Sequence, residues 1–378
     1  MTDSYQDLGI YSDWVDEARR QGPLFPLALP EPETRQKLRE VLGFFNGPEI
    51  PIDIRRERSW ERDGVEGEEV SWSVGYGPRT HAYALKPAGI RTPLPGILAL
   101  HDHGGFKFYG KEKIADGPEN PPKVLILHRQ AYGDRAYVNA LAKEGFLVLV
   151  HDTFLWGSRR FPFETMPMGV RNIAEALLRD TPIDPEIPRE IIAYNEASNH
   201  HEHLVEKYCN VLGTTLAGVV SHEDRIALSY LHSRPEVIPD RLACIGLSGG
   251  GNRSALLLAT SDYITAAVIV GLMSTYPGLL DHNVFSHTWM LFPHGWARYG
   301  DWPDIAASRA PLPLLVQYDL DDELFTVPGM QAAHQRISEH YQHLDHPEAY
   351  TGQFYPGPHK FDLEMQASAF RWLKVNFV

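Results

Sequence analysis

The chain has 378 residues, 43% of them hydrophobic, and a formal net charge of -14, which allows a large core in one decorated domain and excludes a nucleic-acid partner, because no basic patch offsets the acidic surface. Only two cysteines, Cys209 and Cys244, are present, so a disulfide framework is not expected. The polar start MTDSYQDLG lacks signal-peptide character and no apolar run approaches the roughly 20 residues that span a bilayer, so a cytoplasmic protein without a membrane partner is expected.

Residues 1–50 read as an N-terminal helical extension, with a helix around Tyr11 to Arg20, the Pro-rich connector GPLFPLALPEP and a second helix near Thr34 to Leu42. Residues 70–86, VSWSVGYGPRTHAYALK, alternate on both sides of a GYGP turn and predict an antiparallel hairpin. From Gly96 onward, apolar strand runs alternate with helical patterns. Strands are expected at 96–101, 146–152, 241–246, 266–272, 313–318 and 349–356. The intervening helices fall near Ala136 to Glu144, Glu223 to His232, from Asn252, near Met330 to Tyr341 and over Asp362 to Val375. Continuous apolar strands require cover on both faces, so the fold class is α/β with a mostly parallel central sheet.

Two stretches break the rhythm, about 153–222 and 273–311. Both follow strand ends, where open α/β sheets bind ligands, so they are expected to shape a pocket. The aromatics Trp156, Phe285, Trp289, Phe292, Trp296 and Trp302 are candidates for apolar or sugar-stacking walls, with core packing as the plainer alternative.

The stretch RLACIGLSGGGNRSALLLA carries Gly246-Leu247-Ser248-Gly249-Gly250, a G-x-S-x-G nucleophile elbow between a strand and a helix. A sharp turn there leaves no room for a Cβ at Gly246 or Gly250, and the helix that follows points its free N–H groups at Ser248. A serine hydroxyl needs a histidine base and the base needs a carboxylate. His359, in FYPGPHKFD after the last strand, occupies the histidine slot. PLLVQYDLDDELF offers Asp319, Asp321, Asp322 and Glu323; Asp322 is preferred because it sits a few residues past the strand, before Leu324-Phe325. Gly249 and the loop GILALHDHGGFKFYG, through His103 or Gly104, are candidates for the oxyanion hole. His101, Asp102 and His103 lack a third-ligand motif and NHHEH (199–203) lacks H-E-x-x-H spacing, so no metal is expected and the latter reads as a solvated helix face.

With HDHGG, DTFLWGSRR, RLACIGLSGGG, LLVQYDLDDELF and FYPGPHKFD in place, residues 51–378 resemble the catalytic domain of the α/β-hydrolase superfamily, and more narrowly the acetyl-xylan-esterase-like and dienelactone-hydrolase-like bacterial serine hydrolases. The resemblance implies the α/β-hydrolase fold, no cofactor, and cleavage of a small-molecule acyl ester, in some members an acetylated carbohydrate. One departure stands out. The acid loop in such proteins commonly reads Gly-x-x-Asp, and Asp319 takes the place of the glycine, which leaves the acid open between Asp319 and Asp322. A peptidase or amidase, a carbon–carbon hydrolase or lyase on the same triad, and a silent binding protein are the competing readings. Oligomeric state is not legible.

Overall fold

A computed structural model describes residues 5–43, 47–179, 182–281 and 283–377. Two helices, α1 (Asp13–Gln21) and α2 (Pro32–Leu42), precede the strands β1 (Ile52–Arg62), β2 (Val65–Ser73), β3 (Thr80–Pro87) and β4 (Leu94–Leu100). Helices α3 (Lys123–His128) and α4 (Tyr137–Lys143) lead to β5 (Leu147–His151), followed by α5 (Met168–Leu178), α6 (Arg189–Val211) and α7 (Leu216–Ser233). The remainder runs β6 (Val237–Leu247), α8 (Gly249–Thr260), β7 (Ala266–Val270), α9 (Tyr276–Leu280), α10 (Trp302–Ala307), β8 (Leu314–Asp319), α11 (Val327–His343), β9 (Tyr350–Tyr355) and α12 (Leu363–Asn376).

The strands form one sheet in the order β1-β2-β3-β5-β4-β6-β7-β8-β9. The pairings from β1 to β5 are antiparallel, as the GYGP hairpin requires, and those from β5 across to β9 are parallel. β1 has no counterpart in the sequence reading. Its segment IDIRRERSWER is exposed almost throughout, and charge on an edge strand hides the apolar alternation that marks a strand while blocking edge-to-edge pairing.

Alternation along each central strand divides the core. Leu98, Leu100, Cys244 and Ile269 pack with Leu256 and Leu257 of α8 on one face. Ile97, Ala99, Ile245 and Val268 pack with Leu141 of α4 and Met365 and Leu373 of α12 on the other. Both cysteines are buried and free. The extension leans on this frame: Arg35 donates to Ala259 O at 2.8 Å, at the end of α8, and Thr215 N donates to Leu42 O at 3.2 Å. Among the described residues no helix is long and apolar enough to cross a membrane.

Two helix starts differ from the expectation. α7 begins at Leu216, not near Glu223, so the end of the 153–222 stretch belongs to a core helix; Thr215 caps it by accepting the Gly218 N–H at 2.9 Å. α8 begins at Gly249, three glycines before the expected Asn252. Glycine is a poor helix former, but here tertiary packing decides.

After β4 the chain turns back to β5 on one side, and after β6 it goes to β7 on the other. The crevice between the carboxyl ends of β4 and β6 is therefore a topological switch point, where α/β sheets bind ligands.

Candidate active site

Ser248 stands at that crevice with φ 59° and ψ -122°, a left-handed backbone that side-chain-bearing residues adopt only under constraint. Its N–H donates to Val270 O at 2.9 Å, which ties the turn to β7. The glycines are steric necessities. A Cβ on Gly246 would lie 2.4 Å from Gly250 C, and one on Gly250 would lie 2.1 Å from Leu100 O at the end of β4. A Cβ on Gly249 would meet His103 N at 2.6 Å, so the loop after β4 rests directly on the start of α8.

The loops after β8 and β9 bring Asp322 and His359 together. His359 Nδ1 and Asp322 Oδ2 are 2.6 Å apart, and Asp322 Oδ1 accepts the Leu324 N–H at 2.8 Å, which holds the carboxylate in place. With Nδ1 committed to the acid, Nε2 carries the lone pair; it has no hydrogen-bond partner among the described residues. Burial pulls the His359 pKa down, but the Asp322 hydrogen bond and the charges of Asp322, Asp319 and Asp102 outweigh it, so the pKa lies above the usual histidine value. Asp319, the other candidate acid, turns instead to the backbone and accepts the Lys360 N–H at 3.1 Å.

Ser248, Gly249, His359, His103 and Gly104 line one cavity of about 270 Å³. The amides of Gly249 and His103 make no hydrogen bond among the described residues. Gly104 and Gly105 both have positive φ, 57° and 60°, which lets this loop fold back over the site. The cavity walls include Ser286, His287, Thr288 and Leu291 from the 273–311 stretch and no lysine or arginine among the described residues.

None of the six aromatics weighed as possible walls lines the cavity. Trp156, Trp296 and Trp302 are core residues, Phe285 and Trp289 are exposed, and Phe292 packs at the edge of the core. Phe325 is the cavity's aromatic other than tyrosine and histidine. Large apolar rings far apart in sequence are drawn to the core by the area they bury.

What holds the loop after β4 was not read from sequence. Lys107, Lys111 and Lys113 are all buried, each against a carboxylate from another part of the chain or loop. Lys107 Nζ lies 2.6 Å from Glu202 of α6, Lys111 Nζ 3.1 Å from Asp152 after β5, and Lys113 Nζ 3.1 Å from Asp102. Burial opposes the charge on each partner. For Asp102, burial is opposed by the charge of Lys113 and the contacts with His128 and Tyr132, which together hold the pKa well below the usual range, while burial brings Lys113 down to about 8. Asp102 also accepts from Tyr132 OH at 2.6 Å and pairs with His128 Nε2 at 3.1 Å.

Glu202 corrects the reading of NHHEH as a solvated helix face. His203 is exposed, but His201 and Glu202 are buried, and Glu202 Oε2 holds His103 Nε2 at 2.8 Å. His103 Nδ1 accepts the Gly105 N–H at 3.0 Å, so both ring nitrogens are used in fixing the loop. A single acidic residue between two histidines gives no periodic signal for this.

No protein-family model matches the chain. The chain is 25% identical over 316 residues to a Bacillus subtilis (strain 168) protein named "Putative hydrolase YtaP", covering 82% of this chain and 87% of that one. Its architecture is similar to that of methylesterase BT1017, with a TM-score of 0.62, 16% identity and 91% of this chain covered; the chain spans only 62% of that protein's length. It is also similar to a glucuronoyl esterase from Solibacter usitatus, with a TM-score of 0.61, 14% identity and 92% of each chain covered. Acetyl xylan esterase 1 from a Thermoanaerobacterium species aligns with a TM-score of 0.55, 14% identity and 96% and 98% coverage of the two chains. At such identities the likeness is one of fold, and the fold is that of the α/β-hydrolases.

Proposed function

We propose that the protein is a cofactor-independent serine hydrolase that cleaves a small carboxylic ester through an acyl-enzyme. The observation that carries this reading is the shared cavity: Ser248 on its strained elbow, His359 with its bare Nε2 and its Nδ1 held by Asp322 at 2.6 Å, and the oxyanion candidates Gly249, His103 and Gly104 all line the same space. In this mechanism Ser248 Oγ attacks the ester carbonyl while His359 Nε2 takes its proton and then hands it to the departing alcohol. Asp322 keeps Nδ1–H in place and stabilises the imidazolium. The N–H groups of Gly249 and of the His103–Gly104 loop receive the developing oxyanion, each such donor contributing about 10² to 10³ in turnover. Water, activated by His359, then releases the acid.

The cavity volume of about 270 Å³ favours a short acyl group, and walls without lysine or arginine among the described residues favour an uncharged ester. The named neighbours include an acetyl xylan esterase, which agrees with a short acyl group. A fluorophosphonate probe followed by peptide mass spectrometry tests the reading. Ser248 is expected to carry the label, and Ser248→Ala to lose both label and the hydrolysis of acetyl and butyryl esters. A label elsewhere, or a fully active mutant, refutes the mechanism; faster turnover of matched amides would move the reading to an amidase.

A further inference from the structure

Asp319 has no part in the mechanism above, yet it lies against the base. It is buried at the last position of β8, and together with Asp322 and His359 it presents ligand atoms that all lie within 4.8 Å of one another. Oδ2 accepts the N–H of Lys360, the residue next to His359, at 3.1 Å, and Oδ1 has no hydrogen-bond partner among the described residues. The approach depends on Gly271, whose φ is +55°: a Cβ there would stand 3.1 Å from Asp319 Oδ2 and 3.2 Å from His359 Cε1. A buried carboxyl with a bare oxygen is costly, and a glycine at position 319 would avoid the cost.

We propose that Asp319 is a second positioning carboxylate for His359, anchoring the histidine's loop through the Lys360 amide and sharing with Asp322 the stabilisation of the imidazolium formed during turnover. This rests on the triad reading. The titratable groups that face His359 are Asp319 and Asp322 from the loop after β8, Asp102 from the loop after β4, and His287 from the stretch after β7, with Lys360 alongside. Burial brings His287 down to about 4, so it stays neutral in the working range. Lys113, His128 and Tyr132 together keep Asp102 ionised against burial. Burial lifts Asp319 to about 7. Its charge therefore changes where those of Asp102 and His287 do not, and near neutral pH it becomes a second anion beside the imidazole.

The test compares Asp319→Asn, which keeps an acceptor for the Lys360 amide but cannot ionise, with Asp319→Ala, which loses both. In Asp319→Asn the acidic limb of the kcat/KM profile is expected to move to lower pH, since one anion favouring the protonated base is gone, and kcat above pH 8 to fall severalfold. In Asp319→Ala the melting temperature should fall as well. Asp322→Asn is expected to lose less than the about 10⁴ that an orienting acid can contribute, and adding Asp319→Asn to it should cost more than the same change in the wild type. An unmoved limb, or losses that simply multiply, overturns the proposal, as does equal inactivity of Asp322→Asn and the double variant. In those cases fluorophosphonate still labels Ser248, whereas an unlabelled wild type would sink the triad reading itself.

Discussion

Glu202→Gln isolates the charge that braces the loop after β4. The carboxylate receives Lys107 Nζ at 2.6 Å and His103 Nε2 at 2.8 Å on Oε2, and Thr288 Oγ1 at 2.6 Å and Trp289 N at 3.0 Å on Oε1. Side-chain exposure is 1% for Lys107 and 5% for Glu202, so solvent screens the pair little. The amide can present its oxygen to Lys107 and His103, but its NH₂ then faces the Trp289 N–H, and the Lys107 ammonium is left without a counter-charge. Breaking a buried pair in this way costs about 3–5 kcal/mol. There is a ceiling, because Lys107 can shed its proton instead: from an ordinary pKa of ~10.4 that costs about 4.6 kcal/mol at pH 7 and about 2 kcal/mol at pH 9.

Burial already holds Lys107 below its usual pKa, with Glu202 pulling it part of the way back. Removing the Glu202 charge depresses the folded-state value further, so the unfolded chain binds the additional proton and the variant's stability rises with pH up to the unfolded lysine pKa. The stability deficit of Glu202→Gln relative to wild type, measured by urea unfolding followed through tryptophan fluorescence, should therefore shrink by about half between pH 7 and pH 9. A deficit that does not change with pH would mean that hydrogen-bond geometry, and not the buried ammonium, sets the cost, and the electrostatic argument would fail.

Three further outcomes follow from the site. The raised pKa of His359 places the acidic limb of kcat/KM above about pH 6.5, the ordinary histidine value, with activity lost as pH falls because the base must be neutral to accept the serine proton; a limb well below pH 6 contradicts this. Ser248→Gly should abolish esterase activity while stabilising the fold by about 1 kcal/mol, because the φ of 59° no longer carries a Cβ; chemical denaturation reads it, and a less stable variant refutes strain at the elbow. Gly249→Ala should lose about 10² in kcat, because a Cβ 2.6 Å from His103 N forces the oxyanion donors apart; steady-state kinetics on the folded fraction, with the melting temperature recorded beside them, decide, and an undiminished kcat removes Gly249 and His103 from the oxyanion site.

The elbow was legible because its signal is local: an apolar strand, a serine among glycines and a helical run lie within one stretch of chain, and Gly246 is crowded by its near neighbour Gly250, though Gly250 itself is crowded by Leu100 from another strand. His359 was legible from its slot after the last strand, since strand order fixes which loops reach the carboxyl edge of the sheet. Sequence left Asp319 and Asp322 open, three residues apart in one acidic loop. Only the folded loop decides, by turning Asp322 to the imidazole at 2.6 Å and Asp319 to the Lys360 amide at 3.1 Å.

Pattern and turn chemistry located the α/β layering, the strands from β2 to β9 and the tight turn at Ser248, because hydrophobic alternation and the crowding of Gly246 against Gly250 are properties of short segments. The brace beneath the site was settled elsewhere. No local pattern marks Lys107, Lys111 and Lys113 as buried, and sequence left Trp156, Trp296 and Trp302 open between ligand walls and core; their burial depends on which carboxylates and which apolar surfaces the topology sets against them. Glu202 of α6 reaches His103 across 99 positions of chain, and a contact of that kind leaves no mark on the local sequence of either partner.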